Sequence, residues 1–218
     1  MSYRPYFSAL DELKAELENN PLLEVYKSQL QYGPGSEVVK ILLSDWEIEA
    51  PEEVINFYGE VGKASFEWQL KENAFIDHQK AENLLITGHI ELLSLDQSLL
   101  GFNPSKGWKD VVWFEDMNEE DLAFYQSIRP FDFFFPDSGK MACFRVANGK
   151  ITEKLFLFGD EIGLQEMDIG VKEYVELLVQ TRGMLSWQEA WLFKGGKNQK
   201  QIKHYLPRLF NEVNLEGF

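Results

Sequence analysis

Leu10, Leu13 and Leu17 fall three and four residues apart, the spacing of one helix face, and Ser8 with Asp11 resembles a capping box just ahead of them. Pro21 suits the first turn of a second helix over residues 21–31. The run YGPGS, residues 32–36, predicts a turn, after which Ser36 can cap a third helix that carries Val38, Val39 and Leu42 inward. Pro51 followed by Glu52 and Glu53 marks another helix start, because the dipole favours acids there. Val54, Phe57, Tyr58 and Val61 form its apolar stripe, and Gly62 sits where a left-handed residue would stop it. The period then changes to two. Phe66, Trp68 and Leu70 alternate with Ser65, Glu67 and Gln69, the pattern of a half-buried strand.

Residues 71–83 are polar and patternless and predict a loop. LLITGHIELLSL, residues 84–95, predicts a strand with a bulge at Gly88. Residues 96–117 predict a long connection containing Trp108 and Trp113, and Asn118 can cap a short acidic helix, NEEDLAFYQS. FDFFF, MACFRVA and KITEKLFLF predict three strands, the last two joined through Asn148-Gly149, a strong hairpin signal. Phe144 and Val146 share one face, as do Leu155 and Leu157. GVKEYVELLVQTRG, residues 170–183, predicts an amphipathic helix with Val171, Tyr174, Val175, Leu177 and Leu178 inside and Gly183 as its stop. Ser186 and Glu189 suggest a capping box for SWQEAWLF. KGGKNQK predicts a basic linker, and Pro207 the start of a last short helix.

Composition adds a boundary and a polarity. The 218 residues are 44% hydrophobic and include 17 Phe and 6 Trp, enough for a packed core without a metal or disulfide staple. The net charge is −15. Residues 194–218 hold five Lys/Arg and two acids, which leaves 16 bases and 34 acids before them: a body of −18 and a tail of +3. Such a body repels phosphate backbones, which argues against nucleic acid; it suits a basic partner or serves solubility alone, the commoner use of an acidic surface. We divide the chain into an N-terminal helical extension (1–35), an α+β domain (36–193) and a basic tail with a short helix (194–218). The first residues carry no signal-peptide pattern and no stretch is apolar enough to span a bilayer, so the expectation is a cytoplasmic protein without membrane contact.

The chemistry is sparse. GxSxG, P-loop, HExxH and GxGxxG motifs are absent. Cys143 is the single cysteine, flanked by apolar residues, and His78, His89 and His204 are far apart, so no metal and no cofactor is expected. Spacing selects no carboxylate pair among 36 acids, which leaves a carboxylate-based hydrolase as an alternative. The candidate surface is Trp113, Phe114, Glu115, Asp116, Glu119, Glu120 and Asp121, the densest acid run outside the first helix: two aromatic anchors and five acids that could meet a basic protein, or a core Trp113 beside an ordinary solvated helix start.

The segments SEVVKILLSDWEIEAPEEVINFYGEVGKASFEW, GHIELLSL, FDFFFPDSGKMACFRVANGKITEKLFLFG and GVKEYVELLVQTRGMLSWQ, in that order, resemble the SUKH superfamily. Its members include a fungal regulator of cell-wall glucan synthesis and bacterial toxin-immunity proteins. The resemblance covers roughly residues 36–192. Where many members show Asn-Gly after the Pro-started helix, this chain has Val61-Gly62. The resemblance implies an α+β fold with helices on a largely antiparallel sheet, and a protein that binds proteins without catalytic residues. The expected function is that of an immunity protein that neutralises a toxin by covering its basic active site. A regulatory scaffold of the glucan-synthesis type is the alternative within binding proteins.

Overall fold

The computed structural model describes residues 4–72, 74, 86–101, 118–135, 139–159 and 161–218. Strands β1 (Leu23–Tyr32), β2 (Val61–Leu70), β3 (Thr87–Leu92), β4 (Ile128–Phe135) and β5 (Lys140–Ala147) lie side by side in chain order. The two-residue β6 (Lys150–Ile151) closes a hairpin onto β5, and β7 (Phe156–Gly159) and β8 (Gly163–Glu166) complete the sheet. All strand pairings are antiparallel. Among the described residues there are eight helices: α1 (Pro5–Asn19), α2 (Ser36–Asp45), α3 (Glu52–Glu60), α4 (Leu95–Leu100), α5 (Glu119–Tyr125), α6 (Val171–Gln180), α7 (Trp187–Leu192) and α8 (Lys197–Leu209). The fold is α+β, as expected, with helices at both ends of the chain. No helix among the described residues is long and apolar enough to cross a membrane.

One hydrophobic core runs from Phe7 to Phe218 and includes residues of both chain ends. Phe131 sits at its centre. The rings of Phe57, Tyr58, Phe144 and Tyr174 lie 5.1, 6.3, 5.0 and 5.5 Å from it, in tilted or edge-on contacts that aromatic pairs prefer. The period of two turns Met141 and Cys143 to the other side of β5, where they form a smaller cluster with Ile128. The predicted stripes of α3 and α6 are seen in the burial; β2 buries Phe66, Trp68 and Leu70 and exposes Glu67 as predicted, but Ser65 is buried as well, its hydroxyl donating to the Glu91 carboxylate. The Asn148-Gly149 turn has φ of 52° and 73°, as the tightest hairpins require.

Several expectations need correction. Residues 21–31 are not a helix; LEVYKSQLQY forms β1, because it pairs with β2 from Leu23 to Tyr32, with a register shift that leaves Tyr26 out of the ladder, and this tertiary pairing overrides the local pattern. Helix α1 begins at Pro5, not after Ser8. Its first N–H groups find no local side-chain cap; the Glu60 carboxylate, from the end of α3, accepts the Tyr6 and Phe7 N–H groups at 2.8 and 3.3 Å. Ser36 is the first residue of α2, and its hydroxyl donates to Asn56 Oδ1. The phase of α2 buries Val39 and Leu43 and leaves Val38 exposed. Gly88 is no bulge: its register with Trp68 is regular, and the indole lies where a Cβ would be, 2.1 Å from Trp68 Nε1.

Gly62 does not stop α3 by a left-handed turn. The helix ends at Glu60, Val61 is already extended, and Gly62 is absent from the positive-φ residues. Glycine is required because a Cβ there would come within 2.6 Å of the Tyr32 carbonyl oxygen on β1. The stretch KITEKLFLF is divided between β6 and β7, and β8 follows unannounced. Part of the 96–117 connection is helical, as α4. Gly183 has φ 62°, but the helix has already ended: Arg182, at φ 54°, takes the first left-handed position. Its guanidinium is held by both Glu16 carboxylate oxygens at 2.9 and 3.1 Å and lies over the Phe210 ring. Ser186 makes no side-chain cap, and Glu189 pairs instead with Lys140 and Asn198. The basic tail forms a 13-residue helix from Lys197 that contains Pro207 near its end instead of starting there.

Candidate functional site: an apolar groove rimmed by carboxylates

Helices α1, α3 and α6 leave a surface groove of about 540 Å³ between them. Its apolar lining is Pro5, Tyr6 and Ala9 of α1 and Val175 and Val179 of α6; Asn56, Glu60, Lys172, Glu176 and Gln180 supply the polar atoms. Local sequence explains the walls. Pro5 occupies the first turn of α1, where its missing N–H costs nothing. The lining positions of α6 (172, 175, 176, 179 and 180) recur at helical spacing and form a stripe beside the one buried in the core.

Glu60 joins the walls. One of its oxygens, Oε2, takes both α1 N–H groups. Burial still raises its pKa, against the pull of those two bonds and of Arg4. The neighbouring Tyr6 phenol is pushed well up, first by burial and then by the charges of Glu53, Glu60, Glu173 and Glu176. Glu60 and Glu176 thus stand on the groove lining, while Glu53 and Glu173 add negative charge near Tyr6 from outside it. Lys172 approaches Glu176 only to 3.9 Å, with both side chains more than 60% exposed, so this pair neutralises little.

A second cavity, of about 380 Å³, lies where α1 and β1 meet the end of α8, lined by Glu16, Asn19, Asn20, Arg208 and Asn211 among others. Two of its polar residues are already engaged: Asn20 donates to the Leu209 carbonyl at 2.7 Å and Glu16 holds Arg182.

The most perturbed carboxyl is Asp132, fully buried in β4. β3 and β4 share a single register pair there, Leu92 with Asp132, and Asp132 Oδ1 accepts the Glu91 N–H at 2.8 Å. Oδ2 accepts the Tyr174 hydroxyl at 2.8 Å, which in turn accepts from Gln188 Nε2 at 3.0 Å. Asp132 lines neither cavity, so its role is to join sheet and helices. Cys143 is buried, its thiol is pushed up by burial, and it donates weakly to the Phe156 carbonyl at 3.5 Å. Burial lowers the His89 pKa; this residue faces Glu67 across β2 and β3. His204 sits on α8 against Tyr205, and His78 lies outside the described residues. No group of three or more His, Cys, Asp or Glu among the described residues could hold a metal ion.

Of the surface predicted from sequence, Trp113, Phe114, Glu115 and Asp116 lie outside the described residues. Glu119, Glu120 and Asp121 form the start of α5, and Glu119 is exposed. The groove residues Tyr6, Ala9, Glu60 and Val179 were not singled out from sequence. A signal existed in α6, whose apolar set at 171, 174, 175, 178 and 179 is wider than a single packed stripe needs.

No family model, no curated protein and no solved structure matches this chain.

Proposed function

We propose that this protein is a non-catalytic protein-binding module that neutralises a basic toxin by occlusion. The observation that carries protein binding is the apolar groove between α1, α3 and α6 with carboxylates on its rim, on a chain of net charge −15. Apolar side chains in such a groove supply the anchors that interface hot spots need, and the surrounding field speeds encounter with a cationic protein. The acidic start of α5 adds charge of the same sign. The step from basic protein to toxin rests on the resemblance to the SUKH superfamily.

Coexpression tests this reading. The polypeptide encoded beside this chain is expressed alone and together with it. The expected result is growth arrest in the first case, rescue in the second, and a one-to-one complex that survives purification. A harmless neighbour, or toxicity that persists without a complex, contradicts the immunity reading.

A further inference from the structure

We infer that the groove between α1, α3 and α6 receives a short amphipathic helix of the partner, with its apolar side chains between α1 and α6 and a Lys or Arg beside Glu60 and Glu176. This rests on the protein-binding reading and specifies its chemistry. The walls are helices, and the Tyr6 and Phe7 N–H groups at the open start of α1 are taken by Glu60, so the walls offer no free edge to an extended strand, and recognition must run through side chains. The α6 wall repeats at 172, 175, 176, 179 and 180, the stripe that another helix can interdigitate with. From 172 to 180 it spans about 12 Å, or about two helical turns. The volume of about 540 Å³ falls within the roughly 300–1,000 Å³ range of ligand-holding clefts.

Charge fixes the sign of the occupant. Glu53, Glu60, Glu173 and Glu176 all act on the Tyr6 phenol, against Lys172 on the lining and Arg4, which acts on Glu60. Both backbone N–H groups that reach Glu60 bind the same oxygen, Oε2, and the carboxylate stays under-compensated in its half-buried position. A guanidinium or ammonium placed there supplies the missing counter-charge in a partly water-excluded site, where it counts for more than on an open surface. An acidic or purely apolar helix would leave that carboxylate worse off.

The test titrates isotope-labelled full-length protein with three capped alanine-based peptides, followed by backbone amide NMR. The first carries two leucines four residues apart and an arginine three residues outside each. The second has glutamates for the arginines, and the third a central proline that breaks the helix. We expect the first to shift the amides of residues 6–9 and 172–180 and to bind at least tenfold tighter than the other two. Glu60→Gln, which keeps an acceptor for the α1 N–H groups, should weaken the first peptide severalfold while leaving the spectrum of the free protein folded. Equal binding of the first and second peptides overturns the cationic occupant, and equal binding of the first and third overturns the helix. Shifts confined to residues outside the groove overturn the site but leave a basic partner elsewhere on the surface standing. No shifts at all overturn the inference, whereas the protein-binding reading falls separately, through the neighbour-encoded polypeptide.

Discussion

Between about pH 4 and pH 8 the wild-type protein will lose on the order of 4 kcal/mol of stability relative to its Asp132→Asn variant. Burial pushes the Asp132 carboxyl from 3.8 up to about 7, although the Glu91 N–H and the Tyr174 hydroxyl both pull it down. The folded state therefore holds this proton more tightly than the unfolded state. Its contribution is fully present below about pH 4, where both states are protonated, and is lost as the pH rises through about 7. The groups facing the carboxyl come from β3 (Glu91), α6 (Tyr174) and α7, whose Gln188 reaches Tyr174; none is a cation that would hold the charged form. An asparagine keeps an acceptor for the Glu91 N–H. Its amide can donate to Tyr174, whose hydroxyl then turns to Gln188 Oε1, an atom with no partner among the described residues. Urea unfolding of both proteins at intervals across this range is the check. The difference in their stabilities should grow with pH; a constant difference would show that Asp132 is ionised throughout.

Gly33→Ala will destabilise the protein by about 3 kcal/mol and loosen the groove with it. A Cβ on Gly33 would stand 2.3 Å from the Tyr58 carbonyl oxygen and 2.7 Å from both C and O of Gly59. All three are backbone atoms, which no rotamer change can move. Main-chain bonds lock the same contact, from Gly33 N–H to the Glu60 carbonyl at 2.8 Å and from Gly35 N–H to the Gly59 carbonyl at 2.9 Å. Gly59 is equally confined, with Ser36 N 2.7 Å from its own ideal Cβ. The turn after β1 thus seats the end of α3, and the end of α3 places Glu60 against α1. Gly35→Ala is the informative control, because its φ of 97° strains any other residue but a Cβ there meets nothing within 4 Å. Thermal unfolding should rank Gly33→Ala as the more damaging. The reverse order would mean that this turn relaxes freely away from α3.

These two sites show what sequence alone could and could not reveal. The stripe of α3, the alternation of β2 and the Asn-Gly turn were legible because each is set within a few residues by periodicity or by turn chemistry. Residues 21–31 misled because Leu22, Leu23, Val25 and Leu30 satisfy neither period cleanly, and pairing with β2 decided the outcome. Gly62 and Gly88 misled for a related reason. A glycine signals a turn or bulge locally, yet here the requirement comes from Tyr32 and Trp68 on neighbouring strands. The N-terminus of α1 was misplaced because its cap, Glu60, lies more than fifty residues away in the chain. The groove was invisible for the same cause: its lining comes from three helices separated in sequence, and no short motif records their convergence.

The claim that this groove is the binding surface is tested most directly by the affinity of the polypeptide encoded beside this chain for three forms of the protein: wild type, Ala9→Arg and Ser8→Arg. Ala9 lines the groove, and an arginine there fills it with bulk and with the wrong charge; Ser8 is exposed and outside the lining, and arginine suits a helix at either place. The account predicts, by calorimetric titration, a loss of at least a hundredfold for Ala9→Arg, an unchanged Kd for Ser8→Arg and a similar melting temperature for all three. Wild-type affinity in a folded Ala9→Arg protein, or a neighbour that binds none of the three, would contradict it.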